Sequence, residues 1–123
     1  MRSKVTIADA VAYHNFTIAF GQFLDDFRFA PEEEKYTLIE NEPKHDGVDL
    51  AILCHAAAAV HKLANDSGLE IPNWVFNPVY IMPEPYYARG TQNAEFQRYL
   101  YESSPPEYAS RNVFFGGNVL LRA

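Results

Sequence analysis

The stretch GVDLAILCHAAAAVHKLANDS, residues 47–67, decides the fold of this chain. Its apolar positions recur at helical spacing: Leu50, Leu53, Ala57, Val60 and Ala64. The four consecutive alanines give the segment high helix propensity and a smooth surface that another helix can approach closely. We therefore predict a helix over residues 47–67, with Asp46 or Asp49 capping its start and Gly68 ending it.

A second long helix is predicted upstream, over residues 7–30. Aromatic residues recur there at spacings of three and four: Tyr13, Phe16, Phe20, Phe23 and Phe27. Thr6 is the expected N-cap, with Asp9 in the capping-box position three residues later. Pro31 ends this helix, because the residue before a proline avoids the helical region, and begins a short helix that reaches Glu42.

The C-terminal half has a different texture. Residues 69–90 hold four of the eight prolines, interleaved with aromatic residues, so we predict an extended segment with one helical turn near residues 73–77. A helical pattern returns over residues 91–103. Ser104 is then the predicted N-cap, and Pro105 the first residue, of a two-turn helix that ends at Gly116. Residues 118–123 are expected to form a strand or a last helical turn.

These elements predict a mostly α fold in a single domain, residues 1–123. The helices form a hairpin or bundle with short C-terminal helices, and the proline- and aromatic-rich segment packs across it. The chain has 123 residues, of which 48% are apolar and 15% aromatic. A chain of this size and composition can bury enough surface to fold without a metal or a disulfide.

Charge and cysteine content narrow the classes of function. The net charge is −6, and residues 30–49 carry seven acids against two lysines, which disfavours general nucleic-acid binding. Residues 86–123 carry four arginines against three glutamates. A nucleic-acid-binding accessory role through this segment is therefore the third function we consider, after an interaction protein and a small metal-binding protein or enzyme. The single cysteine, Cys54, excludes an internal disulfide and fits the cytoplasm. We expect neither a signal peptide nor a membrane span.

No pattern of catalytic residues emerges. Cys54 and His55 are adjacent on a predicted helix, where neighbouring side chains diverge by about 100°, so the imidazole cannot activate the thiol. A zinc site would need His14, His55 and His61 to converge with an acid, which their spacing does not require. A small metal-binding protein or enzyme is therefore an alternative, and we predict no catalytic residue, metal ligand or cofactor.

The pair Arg111–Asn112 allows two interpretations. In the architectural one, Arg111 binds carbonyl groups or a carboxylate near a helix end, and Asn112 adopts the left-handed conformation. In the functional one, Arg111 binds an anionic group of a partner. The predicted binding residues are Trp74, Tyr86, Tyr87, Arg111 and Asn112.

Several short motifs resemble the C-terminal half of a group of small uncharacterised bacterial proteins. They are H-x-L-A from His61, P-x-W from Pro72 and S-P-x-x-[FY]-x-x-R-N-[IV]-F from Ser104, with Tyr108 where the group has Phe. The resemblance covers residues 60–123. Such proteins are often encoded near toxin–antitoxin-type genes, so it implies a bacterial accessory or antitoxin-like role and carries over no catalytic residue.

Together these patterns favour a non-enzymatic protein of the bacterial cytoplasm that binds a protein partner or forms a homodimer. The surplus of Tyr, Phe and Trp supports this expectation, because such rings dominate interface hot spots.

Overall fold

Six α-helices dominate a computed structural model of the protein, which describes residues 3–120. They are α1 Ile7–Ala12, α2 Phe16–Phe29, α3 Glu32–Lys35, α4 Leu50–Ser67, α5 Ala94–Ser103 and α6 Pro106–Ala109. Short 3₁₀ segments lie at Tyr36–Leu38, Asn73–Phe76, Pro78–Tyr80 and Ala88–Gly90. Two short parallel strands, β1 Tyr86–Tyr87 and β2 Val113–Phe114, pair with Tyr86 opposite Val113. The mostly α prediction is confirmed; part of the predicted last element, residues 121–123, lies outside the described residues.

The central helix is α4. Its four alanines, Ala56–Ala59, have no exposed surface, and α1, α6, β2 and the 3₁₀ segments of residues 73–80 all pack against the helix. Side chains without bulk allow this close approach from several sides. Gly68 ends the helix in the left-handed conformation at φ 68°, as predicted. The helix begins at Leu50, later than predicted, and its N-cap residue Asp49 makes no side-chain capping hydrogen bond.

The predicted helix over residues 7–30 is two helices. The Thr6–Asp9 capping box is present and begins α1, with both bonds between 3.1 and 3.2 Å. The chain then leaves the helical conformation, and the Asn15 side chain accepts a hydrogen bond from Ile18 N at 3.2 Å to begin α2. An asparagine that offers its own cap competes with helix continuation, which the aromatic periodicity alone did not reveal.

Four of the five residues of the predicted aromatic face lie in α2, whereas Tyr13 is the C-cap of α1 and is half exposed. Phe16, Phe20, Phe23 and Phe27 form a continuous row, with successive ring centroids 5.1 to 6.1 Å apart. The helix ends before Pro31 as predicted. The buried Lys35 of α3 donates from Nζ to Phe27 O at 2.8 Å and so satisfies a carbonyl at the end of α2. The helical structure after Pro31 ends at Leu38, short of the predicted Glu42.

The proline- and aromatic-rich segment lies across α4, as expected. Tyr80 is fully buried, and its hydroxyl donates to Glu42 while His45 Nε2 lies 2.7 Å away. Burial, and next the bond to Glu42, raise the pKa of Tyr80. The segment then joins the C-terminal region through Met82 N, which donates to Arg111 O at 2.9 Å.

Ser104 does not have its predicted role. Its Oγ donates to Leu100 O at 2.6 Å and accepts from Gly116 N at 3.0 Å. Ser104 thus joins the end of α5 to the turn at Gly116, beyond α6. Pro105 occupies the N-cap position of α6, which is a single turn. Gly116 has φ 88°, a conformation that favours glycine, and a Cβ there would also crowd Leu100 Cδ2 at 3.3 Å.

Candidate functional site

Arg111 is a structural residue in this fold. It is only 5% exposed, and its guanidinium donates to Val75 O and Glu107 O, both at 2.8 Å, and lies 3.1 Å from Nδ1 of His61. One side chain thus connects α4, α6 and the Asn73–Phe76 turn. Burial is the main cause that lowers the pKa of Arg111. The arrangement matches the architectural interpretation of the Arg111–Asn112 pair.

Asn112 follows in the left-handed conformation at φ 62°, as the architectural interpretation requires. Its Nδ2 donates to Met82 O at 3.0 Å, and its own carbonyl accepts from Tyr86 N at 2.8 Å. Asn tolerates this conformation better than most residues with a Cβ. The pair therefore fixes the proline-rich segment to the C-terminal region from two consecutive positions.

The other three predicted binding residues are dispersed. Trp74 donates from Nε1 to Ile39 O at 3.1 Å, and its ring lies 5.4 Å from that of Tyr80. The ring of Tyr87 stacks on Phe114 at 5.4 Å. Of the five predicted binding residues, only Tyr86 lines the open cleft between α2, α4 and β1. A binding role for this set stays a prediction, and the five side chains do not share one surface.

An open cleft of about 460 Å³, here called the His55 cleft, lies where the start of α2 meets α4, β1 and Phe115. The end of the α1–α2 break and the first turn of α2 form one side, and α4 forms the floor. Its lining residues are His14, Asn15, Phe16, Thr17, Phe20, Ala51, Ile52, His55, Tyr86, Arg89 and Phe115.

His55 lines this cleft and lies among four aromatic rings. Phe115 stacks on the imidazole at 4.4 Å between centroids, and Phe16, Phe20 and Tyr108 present edges at 4.8 to 5.5 Å. Burial lowers the pKa of His55 to about 4, so the ring is neutral at physiological pH. Its Nε2 atom is enclosed and has no hydrogen-bond partner among the described residues.

The charge of the His55 cleft is opposite to that of the whole chain. The sequence has 16 acidic residues, yet none of the lining residues is Asp or Glu. Arg89 lies at the cleft and is exposed, and within residues 3–120 it has no ion-pair partner. Its backbone is left-handed at φ 59°, a conformation that an arginine rarely adopts.

A second unusual surface is the outer side of α5. Leu100 is the only buried residue among its ten, whereas α2 buries seven of its fourteen. Phe96 and Tyr99 are 43% and 55% exposed, and their rings stack nearly parallel at 6.2 Å. We call this pair the α5 aromatic face.

The histidines and the cysteine do not assemble into a reactive group. His14 lies at the cleft, His45 on Tyr80, His55 among the rings and His61 on Arg111. Within residues 3–120, no three His, Cys, Asp or Glu side chains are grouped as a metal ion would require. Cys54 is buried, and burial raises its pKa to about 11, which suppresses the thiolate.

Sequence reasoning missed Arg89 and the His55 cleft. The break before Asn15, which opens one side of the cleft, is indicated by a polar His14–Asn15 pair inside the aromatic period. The Arg89–Gly90 pair follows the aromatic strand β1, and a glycine at such a position is typical of a turn. The helical pattern over residues 91–103 predicted α5 but not the exposure of Phe96 and Tyr99.

No protein-family model, no curated protein and no solved structure matches this chain. The resemblance of residues 60–123 to small bacterial proteins therefore stays a prediction. Among the helices within residues 3–120, none combines the length and the apolar character needed to cross a membrane.

Proposed function

We propose that this protein is a non-enzymatic interaction protein, and that α5 is the surface on which its protein partner docks. The observation that supports this most is that α5 buries a single residue, Leu100. A helix of ten residues is marginal in water by itself, and most helices in proteins are stabilised by the face they bury. A partner that covers α5 would supply the missing contacts.

The side chains on α5 suit such a contact. Phe96 and Tyr99 present a preformed pair of stacked rings, and aromatic residues are enriched among interface hot spots. The exposed Arg98–Glu102 ion pair, 3.0 Å long, lies on the same helix and would form part of a polar rim. Interface chemistry of this kind needs no catalytic group.

The partner we propose is a second copy of the chain, bound through the same face in a symmetric dimer. The motif resemblance of residues 60–123 further supports an accessory or antitoxin-like role in the bacterial cytoplasm. The dimer is the part of this proposal that purified protein can test.

Sedimentation velocity from micromolar to submillimolar concentration tests the dimer. We expect reversible dimerisation in the unmodified chain and a monomer in the double variant Phe96→Gln/Tyr99→Gln, since glutamine keeps helix propensity but removes the rings. Phe29→Gln is the matched control, because Phe29 is 77% exposed at the end of α2 and far from this face in the chain. The control should dimerise like the parent.

Hydrogen exchange adds an independent measurement. In the dimer, the α5 amides should exchange more slowly than in the monomeric double variant, while the α4 amides are unchanged. A monomeric parent chain with α5 amides protected as strongly as those of α4 would contradict the proposal, because α5 would then be stable without a partner.

A further inference from the structure

The His55 cleft has the size and shape of a small-molecule site. Its volume of about 460 Å³ lies within the roughly 300–1,000 Å³ typical of ligand pockets. The walls come from four separate parts of the chain, namely the start of α2, α4, β1 with the turn after it, and Phe115. The cleft is separate from α5, none of whose residues line it, so a ligand here is independent of the docking surface proposed above.

The walls select for a flat or apolar ligand. Phe16, Tyr86 and Phe115 line the cleft and are each only partly buried, so their rings present free surface to it. Ile52 and Ala51 on α4 add an aliphatic floor. Ring surfaces of this kind pack best against another planar group.

The polar groups select for negative charge. Arg89 supplies a cation without an ion-pair partner in the described chain, and no acidic side chain lines the cleft to compete for it. The first turn of α2 also faces the cleft through Phe16 and Thr17, and the first N–H groups of a helix favour an anion. Asn15 caps only one of them, the N–H of Ile18. Arg89 and the first turn of α2 thus line the same cleft.

The enclosed Nε2 atom of His55 is a further sign of a binding site. A buried polar atom without a hydrogen bond is unfavourable, and a bound ligand is one explanation for its presence. The imidazole lines the cleft, so this atom belongs to a side chain that borders the space a ligand would occupy.

We propose that the His55 cleft binds a small aromatic carboxylate, whose rings pack between Phe16, Tyr86 and Phe115 and whose carboxylate pairs with Arg89. Arg89 lies at the cleft on an unfavourable, left-handed backbone. Arg89 and Gly90 are left-handed in succession, at φ 59° and 63°, and this turn directs the chain around the end of β1. Strained residues of this kind are concentrated at ligand sites.

Three matched probes test the charge preference. Naphthalene-2-carboxylate, the neutral 2-naphthamide and the cationic 2-naphthylmethylammonium share one ring system and differ in charge. Binding is followed by ¹H–¹⁵N NMR titration, in which shifts at Thr17, Ala51 and Arg89 locate the probe in the cleft and shifts at Phe96 and Tyr99 locate it on α5. We expect the carboxylate to bind about tenfold more tightly than the amide, and the cation more weakly still.

Two variants test the residues. Arg89→Gln should remove the preference for the carboxylate over the amide, whereas Arg28→Gln near the end of α2 makes the same change of charge away from both the cleft and α5 and should preserve it. Ala51→Phe should fill the cleft and weaken all three probes at least about tenfold, since Ala51 is partly exposed and a larger side chain extends into the open space. Circular dichroism of each variant checks that the fold is kept.

The outcomes separate clearly. Equal affinity for the three probes, a stronger effect of Arg28→Gln than of Arg89→Gln, or shifts confined to α5 would each overturn the proposal, as would no binding at millimolar probe. Because dimerisation is tested separately by sedimentation of the Phe96→Gln/Tyr99→Gln variant, failure of the ligand proposal leaves the α5 proposal to its own test.

Discussion

Arg111 donates a hydrogen bond from Nη1 to Nδ1 of His61 on α4, at 3.1 Å. The imidazole is the acceptor and must be neutral, because a protonated ring has no free lone pair there. Burial and the charge of Arg111 both lower the pKa of His61. A buried arginine and a neutral histidine thus support each other at the junction of α4 and α6.

The histidines therefore make stability depend on pH. His55 has a pKa lowered from 6.5 to about 4 by burial, so the unfolded chain takes up a proton in this interval before the folded chain does. The free energy of unfolding should keep its full His55 contribution above pH 6.5 and decrease as the pH drops towards 4. The His55 contribution is about 3 kcal/mol, at ~1.4 kcal/mol per tenfold difference in proton affinity. Urea unfolding across this range measures it.

His55→Phe is the matched variant for this effect. A phenyl ring suits the surrounding four rings and cannot be protonated, so the variant should lose less stability than the parent between pH 6.5 and pH 4. His61 remains in this variant, and because its pKa is also lowered, stability should still decrease with falling pH, by a smaller amount. An unchanged pH profile in His55→Phe would show that the dependence comes from elsewhere.

Replacing Arg111 should be severely destabilising. Arg111→Met leaves Val75 O and Glu107 O without their donor, at an expected cost of about 3 kcal/mol in the free energy of unfolding. Arg111→Lys should recover less than half of this, because one ammonium cannot reproduce the planar fork that joins two carbonyls. Arg98→Met removes only an exposed ion pair and should cost under about 0.5 kcal/mol. Equal effects of the two methionine variants in urea unfolding would contradict the architectural role.

Two buried tyrosines should respond in opposite ways to loss of the hydroxyl. Tyr80→Phe removes bonds to Glu42 and His45 and should destabilise the fold by about 1–2 kcal/mol. The Tyr108 hydroxyl has no partner within residues 3–120, so Tyr108→Phe should be neutral or stabilising. Thermal unfolding of both variants at pH 7 compares them directly, and a larger loss for Tyr108→Phe would refute this assignment.

Two residues with a left-handed backbone, Gly68 and Arg89, provide a further pair of test variants. Gly68→Ala places a Cβ at φ 68° with nothing within 4 Å, so its expected cost of about 1 kcal/mol is purely conformational. Arg89→Gly makes the opposite change at φ 59° and should stabilise the fold by up to about 1 kcal/mol. If Arg89→Gly is instead destabilising, the arginine contributes to folding, and its position at the cleft needs no functional explanation.

The sequence was informative where one local signal dominates. The alanine-rich period of α4, the Thr6–Asp9 capping box and the glycine stop at Gly68 each follow from neighbouring residues alone. The break at Asn15 was not predicted, because the row of phenylalanines continues through a local cap that interrupts the backbone. Ser104 was misassigned because its partner, Gly116, comes from a turn twelve residues later.

The candidate sites depended on tertiary structure still more. Arg111 and Asn112 were recognised as a pair with an architectural interpretation, and the contacts agree with it. The His55 cleft exists only because the start of α2, α4, β1 and Phe115 meet, and no sequence period brings distant segments together. Likewise, the spacing of Phe96 and Tyr99 indicates a helix face but cannot tell whether another element covers it.

The burial of Cys54 has a practical consequence. Since this thiol is enclosed and is the only one in the chain, it should remain inert to maleimide reagents under native conditions. A fluorophore or spin label can then be attached at a single cysteine introduced on the surface, without first replacing the native residue. Distances between two labelled copies, and the approach of any third molecule, become measurable in an otherwise unmodified protein.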